Sequence, residues 1–154
     1  QNIISNAQSI INYLGICERD RAITTLPFHY SFGLSIINTH LLAGASIVLT
    51  SRSVTDPVFW TLFTEHGVSS LSGVPYTYEL LEKIGFRSKH YKDLRYLTQA
   101  GGRLPPTLVS DFDEWARSSK KSFFVMYGQT EATARMAYVP PHLLHANPDC
   151  IGIA

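Results

Sequence analysis

Short runs of apolar and β-branched residues recur along this chain at 22–28-residue intervals, with a helix-length segment between each pair. AITTL (22–26), SIVLT (46–50), VSSLS (68–72), LRYLT (94–98) and SFFVMY (122–127) have the length and composition of strands. Between them lie GLSIINTHLLAG (33–44), VFWTLFTEHG behind an Asp56-Pro57 cap, TYELLEKIG (77–85), and PTLVSDFDEWARSS behind a double proline. The first three of these end in glycine, as helices commonly do. A further helix is expected over 2–14, where Ile3, Ile4, Ala7, Ile10, Ile11 and Leu14 fall at helical spacing and Gly15 stops the run. Strands alternating with helices in this way call for right-handed crossovers and a parallel sheet. The expected fold class is α/β, a three-layer sandwich on a mainly parallel sheet.

That architecture directs attention to five loops. In open parallel sheets ligands gather outside the carboxyl ends of the strands, near a switch in strand order. The segments leaving those ends are PFHYSFG, SRSVTD, SGVPY, AGGRLPP and GQTEAT, and four of the five contain glycine. Glycine admits positive φ and close backbone approach to a ligand. It also serves ordinary βα turns, so the repetition over four loops is what marks a site.

Composition narrows the partners. Thirteen Lys and Arg against twelve Asp and Glu leave a net charge of +1, which argues against an electrostatic nucleic-acid binder. No apolar run reaches the eighteen or so residues of a membrane span. Only 16% of residues are charged, against roughly a quarter in an average soluble domain, so part of the surface is expected to be covered. Cys17 and Cys150 stand far apart without a CxxC pair, which suits a reducing, cytoplasmic setting better than a disulfide scaffold. The chain opens on Gln1 without a signal-peptide pattern and stops in the apolar IGIA, and it reads as an internal piece of a longer protein.

Several chemistries lack their motifs. There is no GxxxxGK[ST] loop, no GxGxxG fingerprint and no HExxH. No GxSxG elbow supplies a hydrolase nucleophile. His142 and His145 lie three apart in HLLH, but they follow Pro140-Pro141 and have no third ligand nearby, so a capped surface turn is expected rather than a metal site.

MYGQTEATARMAYVPP (126–141) resembles the YG-x-TE signature of the adenylate-forming enzymes, which include acyl-CoA synthetases, firefly luciferase and the adenylation domains of peptide synthetases. AGGRLPP (100–106) resembles the Gly-rich adenine-binding turn of that family, and PFHYSFG (27–33) its aromatic and His segment at the acid pocket. GVPYTYELL (73–81) is similar to its VP-T element, NIISNAQSIINYLG to the helix after its phosphate loop, and PDCIGIA to the segment that follows the signature. These elements occur in the family's order over essentially the whole chain. The resemblance implies a fragment of the AMP-binding N-terminal domain. Its phosphate loop would precede Gln1, and the ribose-binding Asp, the hinge and the catalytic Lys of a mobile C-terminal domain would follow Ala154. Those remaining parts are the expected cover for the apolar surface, and the fragment alone is expected to be inactive.

The activity implied is that of an AMP-forming acid–thiol ligase. A carboxylic acid attacks the α-phosphate of ATP, giving acyl-adenylate and pyrophosphate, and coenzyme A then takes the acyl group and releases AMP. A carrier-protein phosphopantetheine arm is the alternative acceptor. A non-catalytic nucleotide-binding relative, or a plain flavodoxin-like binding module, is the alternative of another class. By resemblance Gly101, Gly102, Arg103, Tyr127, Gly128, Gln129 and Thr130 contact the nucleotide. Thr130 and Glu131 are catalytic, Glu131 holds Mg²⁺, and His29, Gly33, Val74 and Pro75 line the acid pocket. The residue types suit these roles: a flat Tyr127 face for adenine, a Thr130 hydroxyl and N–H for phosphate oxygens, a hard Glu131 oxygen for Mg²⁺. Read from the residues alone, Tyr127 is equally a core residue with a wet hydroxyl, and Glu131 a carboxylate at a helix start. His29 is equally a half-buried structural His. Arg103 departs from the small residue often found there, and either stacks on the base or faces solvent. Residues 21–55 contain no Asp or Glu to hold an amino acid's ammonium, which favours a fatty or aryl acid.

Overall fold

Each apolar run pairs with its neighbours into a single six-stranded sheet in the computed structural model, which describes residues 1–154. In chain order the elements are α1 (Asn2–Leu14), β1 (Arg21–Ile23), α2 (Ser31–Leu42), β2 (Ser46–Val48), α3 (Pro57–Glu65), β3 (Ser70–Gly73), α4 (Pro75–Lys83), β4 (Tyr96–Gln99), α5 (Pro106–Ser118), β5 (Ser122–Gln129), β6 (Thr133–Tyr138) and α6 (Pro141–Leu144). Spatial order is β2-β1-β3-β4-β5-β6, with β1 to β5 parallel and β6 antiparallel to β5. The order therefore switches direction between β1 and β3.

The period-2 alternation of the strands divides the core into two layers. Ile23, Leu71, Leu97, Phe123 and Val125 face α3, α4 and α5, whereas Ala22, Tyr96, Phe124 and Met126 face α1 and α2. The first layer is dominated by aromatic rings, with Phe59, Tyr78, Phe86, Phe112 and Phe123 almost wholly buried. Asp56 caps α3 by accepting a hydrogen bond from the Val58 N–H at 2.9 Å, with Pro57 in the first turn. Gly15 ends α1 at φ 62.

The sequence expectation of five strands misses β6. GQTEAT leaves β5 as a hairpin turn and not as a βα connection, because β5 runs on to Gln129 and pairs back with Thr133–Tyr138. Several apolar side chains stay in water: Ile3 and Ile4 on α1, Leu41 on α2 and Leu49 after β2 are each more than 60% exposed. No helix is long and apolar enough to cross a membrane.

Asp20, just before β1, ties three elements together. Its buried carboxylate accepts from the Cys17 N–H (2.9 Å) and the Ser69 hydroxyl (2.7 Å), and pairs with the half-exposed Arg95. Burial alone would raise its pKa, but the Arg95 guanidinium and these two donors outweigh it and hold the group below the usual carboxylate range. A depressed carboxylate contributes stability that is present above its unfolded pKa near 3.9 and is lost as pH falls through the folded value. Asp20→Asn is expected to lower stability at pH 7 by about 1–3 kcal/mol and to flatten the loss of stability below about pH 4. Urea titrations of both proteins at pH 7 and pH 3.5 measure the two effects, and an undiminished acid slope in the variant would contradict the assignment.

Candidate active site

A cleft of about 470 Å³ opens beyond the carboxyl ends of β4 and β5. One wall is the turn Gly101–Leu104, the floor is Val125–Gly128, and the far wall is Pro148–Ile151. The buried Gln99 side chain donates to the Gly102 carbonyl at 2.8 Å and so shapes the turn. Gly101 adopts φ 79, and a Cβ there would run into the Tyr30 hydroxyl. At Gly101 and Gly102 the turn thus presents backbone to the cleft. Arg103 is exposed and forms an ion pair with Asp149, its Nε 3.1 Å from Oδ1. The pair joins opposite walls of the cleft that Arg103 lines.

Tyr127 ends the buried part of β5, is 39% exposed and lines the cleft, so it is not a core residue. The β5–β6 register shifts between Tyr127 and Gln129. A Cβ on Gly128 at this bulge would run into the Arg135 nitrogen, so the hairpin itself requires this glycine. Gln129, Thr130 and Glu131 are all exposed at the hairpin tip. The Thr130 hydroxyl lies 3.1 Å from the Ser31 hydroxyl at the start of α2, which joins the tip to the loop that carries His29 and Tyr30. Glu131 stands in a β-turn, not at a helix start, and takes part in none of the ion pairs of the chain.

The four residues expected at an acid pocket do not share one cavity. Val74 and Pro75 border the Gly-rich turn, 3.1 and 3.0 Å from where Cβ atoms on Gly101 and Gly102 would stand. Val74 also lines a second cleft of about 390 Å³, walled by Thr25–Pro27 and Ser51–Val54, at the strand-order switch. Gly33 is buried, and a Cβ there would run into the Pro27 carbonyl, so it allows α2 to lie close on the end of β1. His29 is exposed on its loop and lines neither cleft, which corrects the half-buried placement.

Sequence reasoning passed over Arg135, which is 3% exposed on β6 and bonded to Ser35 and Thr39 of α2. Its only trace in the sequence is a charged residue within the alternating ATARMAY stretch. His142 and His145 lie exposed on and just after the four-residue α6, and no three His, Cys, Asp or Glu side chains cluster closely enough for a metal ion.

Comparison with known proteins adds a family. A family model described as AMP-binding enzyme matches residues 1–154. A 2-succinylbenzoate–CoA ligase of Staphylococcus aureus is 23% identical over 140 residues, which is 91% of this chain and 27% of the relative. The o-succinylbenzoate CoA synthetase of Bacillus subtilis, solved with its acyl-adenylate intermediate, superposes with TM-score 0.84 at 24% identity, over 99% of this chain and 30% of that one. VinN, solved with L-aspartate, superposes with TM-score 0.81 at 29% identity, over 99% of this chain and 38% of VinN. The chain thus spans about a quarter to two-fifths of the relatives it matches.

Proposed function

This chain belongs to the AMP-binding enzyme family, and from that premise we propose that the protein containing it is an AMP-forming acid–CoA ligase. The observation that carries the reading is one cleft walled by the Gly101–Gly102 turn and Tyr127, with Thr130 and Glu131 on the adjoining hairpin tip. Adenine stacks on the Tyr127 ring, with the backbone of Gly101 and Gly102 at its edge. The hydroxyl and N–H of Thr130 receive the α-phosphate oxygens, and the Ser31 contact holds that hydroxyl beside α2.

Glu131 offers an exposed carboxylate free of protein partners, whose hard oxygens would suit a Mg²⁺ ion. Bound there, the ion would neutralise charge on the triphosphate as the carboxylate approaches. The chain's own contribution is positioning: it brings two anions into line and supplies donors where charge develops on the α-phosphate. Attack by the acid gives acyl-adenylate and pyrophosphate, and the coenzyme A thiol then displaces AMP. By the resemblance, the pyrophosphate-gripping loop, the ribose-binding Asp and the catalytic Lys would come from other parts of the protein, so residues 1–154 alone are expected not to turn over. Those parts would cover the exposed Ile3, Ile4 and Leu41.

The relatives name acids as unlike as 2-succinylbenzoate and L-aspartate, so the acid is argued from this chain. Residues 21–55 carry no carboxylate to meet an ammonium group, which supports a fatty or aryl acid over an amino acid. The two free cysteines support a cytoplasmic setting. The test is the nucleotide product: the full-length protein with acid and coenzyme A is expected to convert ATP to AMP in proportion to coenzyme A consumed. Formation of ADP instead would overturn the reading.

A further inference from the structure

A concavity of about 520 Å³ lies at the opposite end of the sheet from the Tyr127 cleft, at the amino ends of β4 and β5. The loop before β4 and the loop between α5 and β5 form its walls. Four cations line it, Lys92, Arg95, Lys120 and Lys121, against one carboxylate, Asp93, in a chain whose overall charge is only +1. Arg95 is already answered by Asp20. Lys121 is held in place by the Tyr91 and Leu94 carbonyls, which accept from Nζ at 2.6 and 2.7 Å. Burial pushes its ammonium below the usual lysine range, and Asp93 opposes that only in part. Lys92 and Lys120 are exposed and take part in none of the ion pairs of the chain. Ser119 and Ser122 add hydroxyl donors to the same walls.

The backbone shows that one of these charges is kept against a local preference. Helices α1 to α4 each end on a glycine in the left-handed region, Gly15, Gly44, Gly67 and Gly85, at φ 58 to 72. Helix α5 ends in the same way, with the Lys121 N–H donating to the Ala116 carbonyl at 2.7 Å, but its left-handed residue is Lys120 at φ 57. A side chain in that conformation is destabilising relative to glycine. A cation also suits the negative end of a helix, but Arg117 in the last turn and Lys121 just beyond already supply that. The last carbonyls of α5, those of Trp115, Ala116 and Arg117, are moreover taken up by the N–H groups of Ser119, Lys121 and Lys120.

We propose that this concavity is a second ligand site, which binds a small free anion carrying two or more phosphoryl groups between Lys92, Lys120 and Lys121. Ammonium groups serve such an anion as compact point charges, and the volume is in the range of small-molecule sites. A chain so close to neutral overall does not gather a long polyanion, and a concave site favours a compact one. The site shares no residue with the Tyr127 cleft, so it stands or falls independently of the ligase reading.

The test is isothermal titration of the full-length protein with inorganic pyrophosphate, in EDTA and at physiological salt. Lys120→Gly is expected to weaken binding about 10-fold, Lys92→Gln by a similar factor, and the two together by more than either. Lys120→Gly places glycine where the backbone favours it, so its melting temperature is expected to rise while its affinity falls. Arg52→Gln removes one charge at the other end of the sheet and is expected to leave affinity unchanged. Pyrophosphate binding that is unaltered in both lysine variants overturns the proposal, because the anion then binds elsewhere. An equal loss in Arg52→Gln overturns it as well, since overall charge and not this site would be acting. Absence of pyrophosphate binding to the wild-type protein also overturns it. Sedimentation with phosphatidylglycerol vesicles in that case would make the lysines a membrane-facing patch.

Discussion

Glu131→Ala in the full-length protein is expected to lower acid-dependent adenylation by about 100- to 1,000-fold, the usual loss when one electrostatic contact to a developing charge is removed. The fall should appear in kcat, because a contact made fully only as the α-phosphate is attacked contributes little to ground-state binding. Stability should move by no more than about 0.5 kcal/mol, since Glu131 is exposed and takes part in no ion pair. Glu131→Gln keeps the shape and loses the charge, and should be nearly as slow. Steady-state kinetics beside a thermal melt separate the two effects. Full activity in Glu131→Gln would show that the carboxylate serves the hairpin and not the phosphates.

The largest effect on folding is expected at Phe112. This α5 ring is wholly buried and meets Tyr78 edge-on, with centroids 4.9 Å apart at 87°, while also packing on Phe86 and Phe123. Truncation to alanine removes the ring on which three others rest, and a jacket of aromatic side chains cannot collapse fully into the space. Phe112→Ala should cost about 3–5 kcal/mol. Phe112→Leu refills much of the volume and should cost less than half as much. Urea unfolding measures both, and near-equal losses would mean that the layer repacks freely.

The helices and parallel strands were legible because periodicity carries them. Leu97 and Phe123 alternate with Tyr96 and Phe124 across the sheet, and α3 announces itself through Asp56-Pro57. Strand β6 was not legible, for a physical reason: its one deeply buried central side chain is Arg135, so its polar pattern is inverted relative to an ordinary half-buried strand. Only the packing of α2 over the hairpin makes that position a buried one. The cleft was legible through its loops, since Gly101, Gly102, Tyr127 and Gly128 all lie at strand ends, where an open parallel sheet gathers its ligands. Gly128 also admits the backbone of β6, which no loop pattern announces. The exposed position of His29 depends on how its loop sits over the end of β1, and no local pattern encodes that.

Acyl-adenylate formation is the step on which the proposed activity rests. Acid-dependent exchange of labelled pyrophosphate into ATP, measured on the full-length protein without coenzyme A, tests it most directly. Exchange that requires both Mg²⁺ and an acid, and that is lost in Thr130→Ala and Glu131→Ala, is the predicted result. A folded protein that binds ATP but exchanges no label with fatty, aryl, amino or dicarboxylic acids would contradict it, and would make the Tyr127 cleft a nucleotide-binding site without adenylation.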